Sequence, residues 1–170
     1  MKSAYSFIHE ALREKRNTPQ WRDLLAKWRR GRAITQVEKP FNIARARRLG
    51  YKAKKGIIVV RVRVRRGQHK RPRPRKGRKS SKLSIRKNLR MNYQWIAEQR
   101  AARKFKNLEV LNSYKLGKDG KYYFFEVILV DPNAPEIKTD KQLSWICSKK
   151  HRGRAFRGLT SAAKKSRGLK

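Results

Sequence analysis

Arginine alternating with valine and with proline is the feature of this sequence with the most direct chemical meaning. Val60-Arg61-Val62-Arg63-Val64-Arg65-Arg66 sets a guanidinium at every second position, and Arg71-Pro72-Arg73-Pro74-Arg75 repeats the spacing with nothing that can build a core. A guanidinium carries five donors in a planar fork; it grips a phosphate with two parallel hydrogen bonds or stacks on a base. The other reactive residues are sparse. Cys147 and His151 stand four apart, in reach as nucleophile and base if helical, but no third group to orient them is evident and Lys149–Arg154 looks extended. One cysteine and three scattered histidines, His9, His69 and His151, do not make a four-ligand zinc site. Gly31, Gly50, Gly56, Gly67 and Gly77 form neither a Walker loop nor a dinucleotide fingerprint. The chemistry on offer is anion binding, with no catalytic group, metal or cofactor expected.

The charge balance agrees. In 170 residues there are 49 Lys and Arg against 11 Asp and Glu, a formal net charge of +38. Such a chain repels itself unless a polyanion supplies the missing charge. Between Glu38 and Glu98 lie 22 basic residues and no acid, and after Asp140 come ten more, again with no acid. Runs of like charge usually mark a solvated tail or face, but here one block contains strongly patterned segments, so the charge belongs to a fold. The 38% hydrophobic content is too high for a wholly disordered chain, while a mean hydropathy of −0.94 is too low for one full-length core. A small folded unit with basic arms is expected.

Several classes drop out. The longest apolar run, Tyr122–Val130, is interrupted by Glu126 and is about half the length of a membrane-spanning helix. No apolar signal segment follows Met1. A lone cysteine, Cys147, forms no internal disulfide and fits a reducing compartment. The basic residues are not gathered on one face of a single amphipathic helix, as a membrane-surface binder would need. Nucleic acid is the partner class left.

The elements that must position these residues are legible in outline. Ser3 caps a helix with Ala4, Phe7, Ile8, Ala11 and Leu12 on one face. Thr18-Pro19 restarts a second helix, with Trp21, Leu24, Leu25 and Trp28 as its apolar stripe and Gly31 as its stop. Core packing is the expected role of both tryptophans, with base stacking as the alternative. Residues 32–55 carry little strand or core-helix character beyond a basic helical turn or two from Ile43 to Leu49, stopped by Gly50. Ile57–Arg66 is the clearest strand, with Ile58, Val60, Val62 and Val64 facing a core and Arg61, Arg63 and Arg65 facing an anion. The basic loop Gly67–Lys82 follows, and Ser84 then caps a helix running to about Lys106. Leu108–Leu116 and Lys121–Val130 read as strands around the turn Gly117-Lys118-Asp119-Gly120. The second of these is apolar on both faces and so should be central. Thr139–Cys147 has room for one helical turn, and the chain from Ser148 onward reads as a basic extension expected to stay unordered without its partner. This divides the chain into a helical segment, 1–31, a core, 32–147, and an extension, 148–170.

The stretches Ala46-Arg47-Arg48-Leu49-Gly50-Tyr51-Lys52-Ala53-Lys54-Lys55-Gly56 and Val60–Gly67 resemble protein fifteen of the archaeal and eukaryotic large ribosomal subunit, which is unrelated to the bacterial protein of that number. Leu108–Tyr114, Phe124–Pro132, Arg157–Ala162 and Lys165–Leu169 agree in the same order, so the resemblance covers most of the chain. It implies an α+β fold, a small and mostly antiparallel sheet with packed helices, from which basic extensions thread into RNA. It also implies a structural constituent of the cytoplasmic ribosome with no catalytic residues. Its partners would be large-subunit ribosomal RNA and neighbouring large-subunit proteins, with no membrane and no small-molecule substrate.

The candidate RNA contacts are Arg45, Arg47, Arg48, Lys52, Lys54, Lys55, Arg61, Arg63, Arg65 and Arg66 before the loop. Within it they are Lys70, Arg71, Arg73, Arg75, Lys76, Arg78 and Lys79. Toward the end they are Lys149, Lys150, Arg152, Arg154, Arg157, Lys165 and Arg167. If a third of the 49 basic residues touched phosphate, roughly sixteen contacts would dominate affinity through counterion release. A DNA-compacting chromatin protein is the alternative, but it ordinarily needs a dimer or a groove-reading helix, and neither is signalled. An RNA-modifying enzyme would need a catalytic group that the sequence does not offer.

Overall fold

A four-stranded antiparallel sheet with helices on both faces organises the protein, in an α+β architecture. The computed structural model describes residues 2–67, 76–77 and 90–169. The strands are β1 (Ile34–Val37), β2 (Ile57–Arg65), β3 (Glu109–Lys118) and β4 (Tyr122–Val130), in spatial order β1-β2-β4-β3. The helices are α1 (Ala4–Lys15), α2 (Pro19–Arg30), α3 (Ile43–Arg48), α4 (Tyr93–Lys104), α5 (Pro135–Lys138) and α6 (Ser161–Ser166), with short 3-10 turns at Ser144–Cys147 and Lys149–His151.

β4 is central, as its two apolar faces require, and every residue from Phe124 to Val130 is buried. One face carries Val59, Phe124, Ile128 and Val130 and packs against Trp21, Leu25 and Trp28 of α2, Ala46 of α3, and Ile137, Leu143 and Ile146 beyond β4. The other face carries Val60, Val62, Val64, Phe125, Val127 and Leu129 and packs against Ala97 and Ala101 of α4. Those two alanines bring the helix close to the sheet. Trp21 and Trp28 are core residues, 5.7 Å apart edge to face, with Trp28 also 5.6 Å from Phe124.

Five elements differ from the sequence reading. β1 is a strand where none is expected: its four residues have little pattern of their own, and β2 supplies the ladder, pairing Ile34 with Val62 and Val37 with Val59. α4 begins at Tyr93, not at Ser84. Asn92 lies extended and its side chain accepts the Trp95 N–H at 2.8 Å, which closes the helix N-terminus there. The expected cap Ser84, with Ile85 and Leu89, lies outside the described residues. β3 runs on through Gly117, which is a strand residue and not part of the turn. A Cβ at Gly117 would meet Trp21 Cζ2 at 2.8 Å, so the indole occupies the space a side chain would need. α1 buries none of its residues and leaves Phe7 56% exposed; it meets α3, where the Arg47 guanidinium donates to the Tyr5 hydroxyl.

The fifth difference is the largest. The segment from Ser148 is folded onto the sheet and α4. Ala155, Thr160, Ala162 and Ala163 are buried, and the Trp95 indole N–H donates to the Ala155 carbonyl at 2.6 Å. Asn92 donates from Nδ2 to the Ala162 carbonyl at 2.8 Å, and its backbone N–H donates to Ser166 Oγ at 3.0 Å. Small residues at 155, 162 and 163 look tail-like in composition, yet small residues are what a helix needs to lie flat against a tryptophan.

Candidate nucleic-acid interface

The alternating arginines of β2 do not form one open face. β2 is paired along both edges, by β1 and β4; its valine face is covered by α4, and its arginine face lies on the side of α2 and is only partly covered. In the antiparallel register Arg61 stands opposite Glu126, Arg63 opposite Phe124 and Arg65 opposite Tyr122. The Arg61 guanidinium sits 4.5 Å over the Trp28 ring and is half-buried, and burial lowers its pKa against the attraction of Glu126. Arg63 lies 4.7 Å over Tyr122 and donates to the Arg29 carbonyl at the end of α2. Arg65 and Arg66 are exposed. Arg61, Arg63 and Arg65 therefore do not stand equally open to an anion: Arg61 and Arg63 are half-buried against aromatic rings and a carbonyl, and Arg65 is exposed.

Glu126 explains why Arg61 is held there. It is 1% exposed, accepts the Phe41 N–H at 3.1 Å, and accepts a hydrogen bond from the Tyr114 hydroxyl. Burial pushes its carboxyl above the usual range, while the bonds from Tyr114 and Phe41 and the charge of Arg61 oppose the shift. A carboxyl whose folded pKa is raised is stabilising below its unfolded value of about 4.3, and that contribution is lost as pH rises through the folded value. Glu126→Gln does not titrate. Its urea midpoint, measured against wild type from pH 4 to 8, is expected to move in favour of the variant as pH rises. A difference that stays constant over that range would mean that Glu126 ionises in the fold as easily as in the open chain.

Arg154 is the second interior cation. It is 9% exposed, and its Nη1 donates to the carbonyls of Val110 and Leu111, both at 2.7 Å. The β3–β4 register slips between Val110 and Asn112, so the sheet leaves Leu111 without a partner residue; Arg154 supplies the donor that the bulge lacks. Its charge also lies near Glu98, which is fully buried on α4 between the hydroxyls of Ser113 and Thr160. Burial raises the Glu98 carboxyl, and those two hydrogen bonds counter it. Arg154 thus leaves the set of surface candidates, because its buried guanidinium fastens the C-terminal segment through Nη1 and its charge.

The remaining candidates stand outside. On α3, Ala44 and Ala46 are buried beneath the helix, and this turns Arg45, Arg47 and Arg48 outward. Asn42 caps that helix by accepting the Arg45 N–H at 2.9 Å, and Gly50, at φ +98°, ends it in a conformation that favours glycine. Lys55, Arg65, Arg66, Lys76, Lys149, Lys150, Arg152, Arg157, Lys165 and Arg167 are also exposed. Lys52 and Lys54 differ in being engaged by Asp140, with Lys52 at 2.8 Å, and the two ammonium groups hold the Asp140 carboxyl well below the usual range. Lys70, Arg71, Arg73, Arg75, Arg78 and Lys79 lie outside the described residues.

Sequence reading missed Arg100, Arg103, Lys104 and Lys106. They sit among acids in the chain, but the helical period that buries Ala97 and Ala101 places Arg100, Arg103 and Lys104 on the exposed side of α4, with Lys106 exposed just beyond. Cys147 and His151 fall in separate 3-10 turns; Cys147 packs at the edge of the core, and the His151 ring lies 4.8 Å from Trp145.

The fold therefore segregates charge. Two of the 11 acids, Glu98 and Glu126, are withdrawn into the interior, where they stabilise the frame and neutralise nothing outside. Among the described residues the ion pairs are Lys2–Glu10, Arg29–Asp119, Lys52–Asp140 and Lys54–Asp140. The exterior keeps most of its positive charge. Compared with known families, residues 3–170 match the one described as Ribosomal L15, in its archaeal and eukaryotic form. With the match running through α1, the sheet and α6 alike, the chain belongs to the archaeal and eukaryotic Ribosomal L15 family and is a protein of the large ribosomal subunit.

Proposed function

We propose that the protein binds and stabilises the major RNA of the large subunit in cytoplasmic ribosomes. Its exposed arginines and lysines neutralise phosphates, and neighbouring large-subunit proteins are its other partners. On this reading it is a structural constituent with no catalytic residue of its own. The observation that carries it is the imbalance of charge outside: Glu98 and Glu126 are buried and Glu10, Asp119 and Asp140 are paired with lysine or arginine, while arginines on α3 and along the C-terminal segment stand outside without acidic partners. A helix backed by Ala44 and Ala46 sets three arginines side by side on its outer surface, where they can meet the phosphates of one backbone.

A salt titration of RNA affinity tests this. The Arg45→Gln/Arg47→Gln/Arg48→Gln variant removes three exposed charges without touching the core. Its melting temperature is expected to hold, while the slope of log K against log salt for a large-subunit RNA fragment shrinks by about two to three. An unchanged slope would place α3 away from the RNA. Equal affinity for duplex DNA of matched length, with no preference for the RNA fragment, would favour a general polyanion binder instead.

A further inference from the structure

Between the end of α4, the start of β3 and the C-terminal segment lies an open cleft of about 420 Å³. Its walls carry three cations, Arg103, Lys106 and Arg152, all exposed, together with Leu108, Glu109 and Phe156. Phe156 is 45% exposed, with the Arg103 guanidinium 5.8 Å from its ring. Glu109 is half-buried; its Oε1 accepts the Gly153 N–H at 2.8 Å, and its other oxygen has no hydrogen-bond partner among the described residues.

Each wall answers to one part of a nucleotide. An exposed aromatic ring is a stacking platform for a base that has left its helix. The three cations suit the phosphates on either side of that base. A carboxylate has lone pairs to spare after one hydrogen bond and accepts from N–H groups on a base edge. It also repels phosphate, so it favours the base on its own side of the cleft and the backbone on the cationic side. An acidic protein segment would meet that same repulsion and would have no use for the ring. A paired base cannot present its flat face to Phe156, so the occupant must be unpaired.

We infer that this cleft holds one unpaired nucleotide of ribosomal RNA, its base on Phe156 and against Glu109, its flanking phosphates on Arg103, Lys106 and Arg152. The inference rests on the RNA-binding reading above. The test uses the full-length chain and two labelled RNA duplexes of equal length, one with a single bulged adenosine and one fully paired. Excess unlabelled paired duplex occupies the sites that bind any backbone. Wild type is expected to prefer the bulged RNA roughly tenfold, Phe156→Ala to lose that preference and Phe156→Tyr to keep it. Arg103→Gln should weaken the bulged RNA more than the paired one. No preference in wild type, or a preference that survives Phe156→Ala, would overturn the nucleotide site and leave RNA binding intact. Failure to bind either RNA would overturn the RNA-binding reading itself. An oligo-aspartate peptide that binds wild type but not Phe156→Ala would assign the cleft to an acidic protein segment and overturn the proposal.

Discussion

Val62→Asp is expected to leave the chain unfolded or aggregated at 25 °C. Val62 is fully buried in the middle of β2, opposite Ile34 on one side and Phe125 on the other, in the core layer covered by α4. An aspartate there would lose its hydration with no donor in reach, at a cost of about 4 kcal/mol or more, against a total stability of about 5–15 kcal/mol for an ordinary domain. Self-repulsion from a net charge of +38 lowers the reserve further. Val62→Ala removes methyl groups without adding charge and is expected to fold with a lowered midpoint. Circular dichroism and size-exclusion chromatography on the two variants make the check. An aspartate variant that melts with wild type would mean that the valine face of β2 is not a core face.

Arg154→Ala carries the second large effect, and it lies in a segment whose composition reads as an arm. Truncation strips the donor from the Val110 and Leu111 carbonyls at the β3 bulge and removes the positive charge near the buried Glu98. Each orphaned buried acceptor costs about 1–3 kcal/mol, so a loss of about 3 kcal/mol is expected in urea unfolding. Amide exchange should accelerate across residues 148–166 before it does in β2 or β4. Arg152→Ala, two residues away and exposed, should change stability by no more than about 0.5 kcal/mol. If both variants unfolded at the wild-type midpoint, the C-terminal segment would be a passenger on the sheet and not one of its supports.

Arg154→Ala and the α3 triple variant together separate two uses of positive charge in one chain. Arg61, Arg63 and Arg154 meet rings, carbonyls and buried carboxylates, so their loss should be read in stability. Arg45, Arg47 and Arg48 project from a helix seated on alanines, so their loss should be read in the salt dependence of binding. Nothing in residue type distinguishes the two sets.

What the sequence by itself determined is whatever a local period can encode. The valines of β2, the doubly apolar β4, the Trp21–Trp28 stripe of α2 and the Gly50 stop are visible because strand and helix periods of 2 and 3.6 residues place side chains on faces without reference to the rest of the chain. The net charge and the acid-free blocks likewise point to a polyanion without reference to any fold. Only the tertiary structure decided which faces are covered. Ile34–Val37 becomes a strand because β2 offers it a ladder, and α4 starts at Tyr93 because Asn92 is positioned to cap it. The arginine face of β2 is partly covered because α2 lies beside it, and the C-terminal segment folds because a bulge in β3 and the buried Glu98 await Arg154 and Thr160. A charged residue is exposed unless a distant part of the chain brings it a partner that repays its desolvation, and that partner lies beyond the reach of any local pattern.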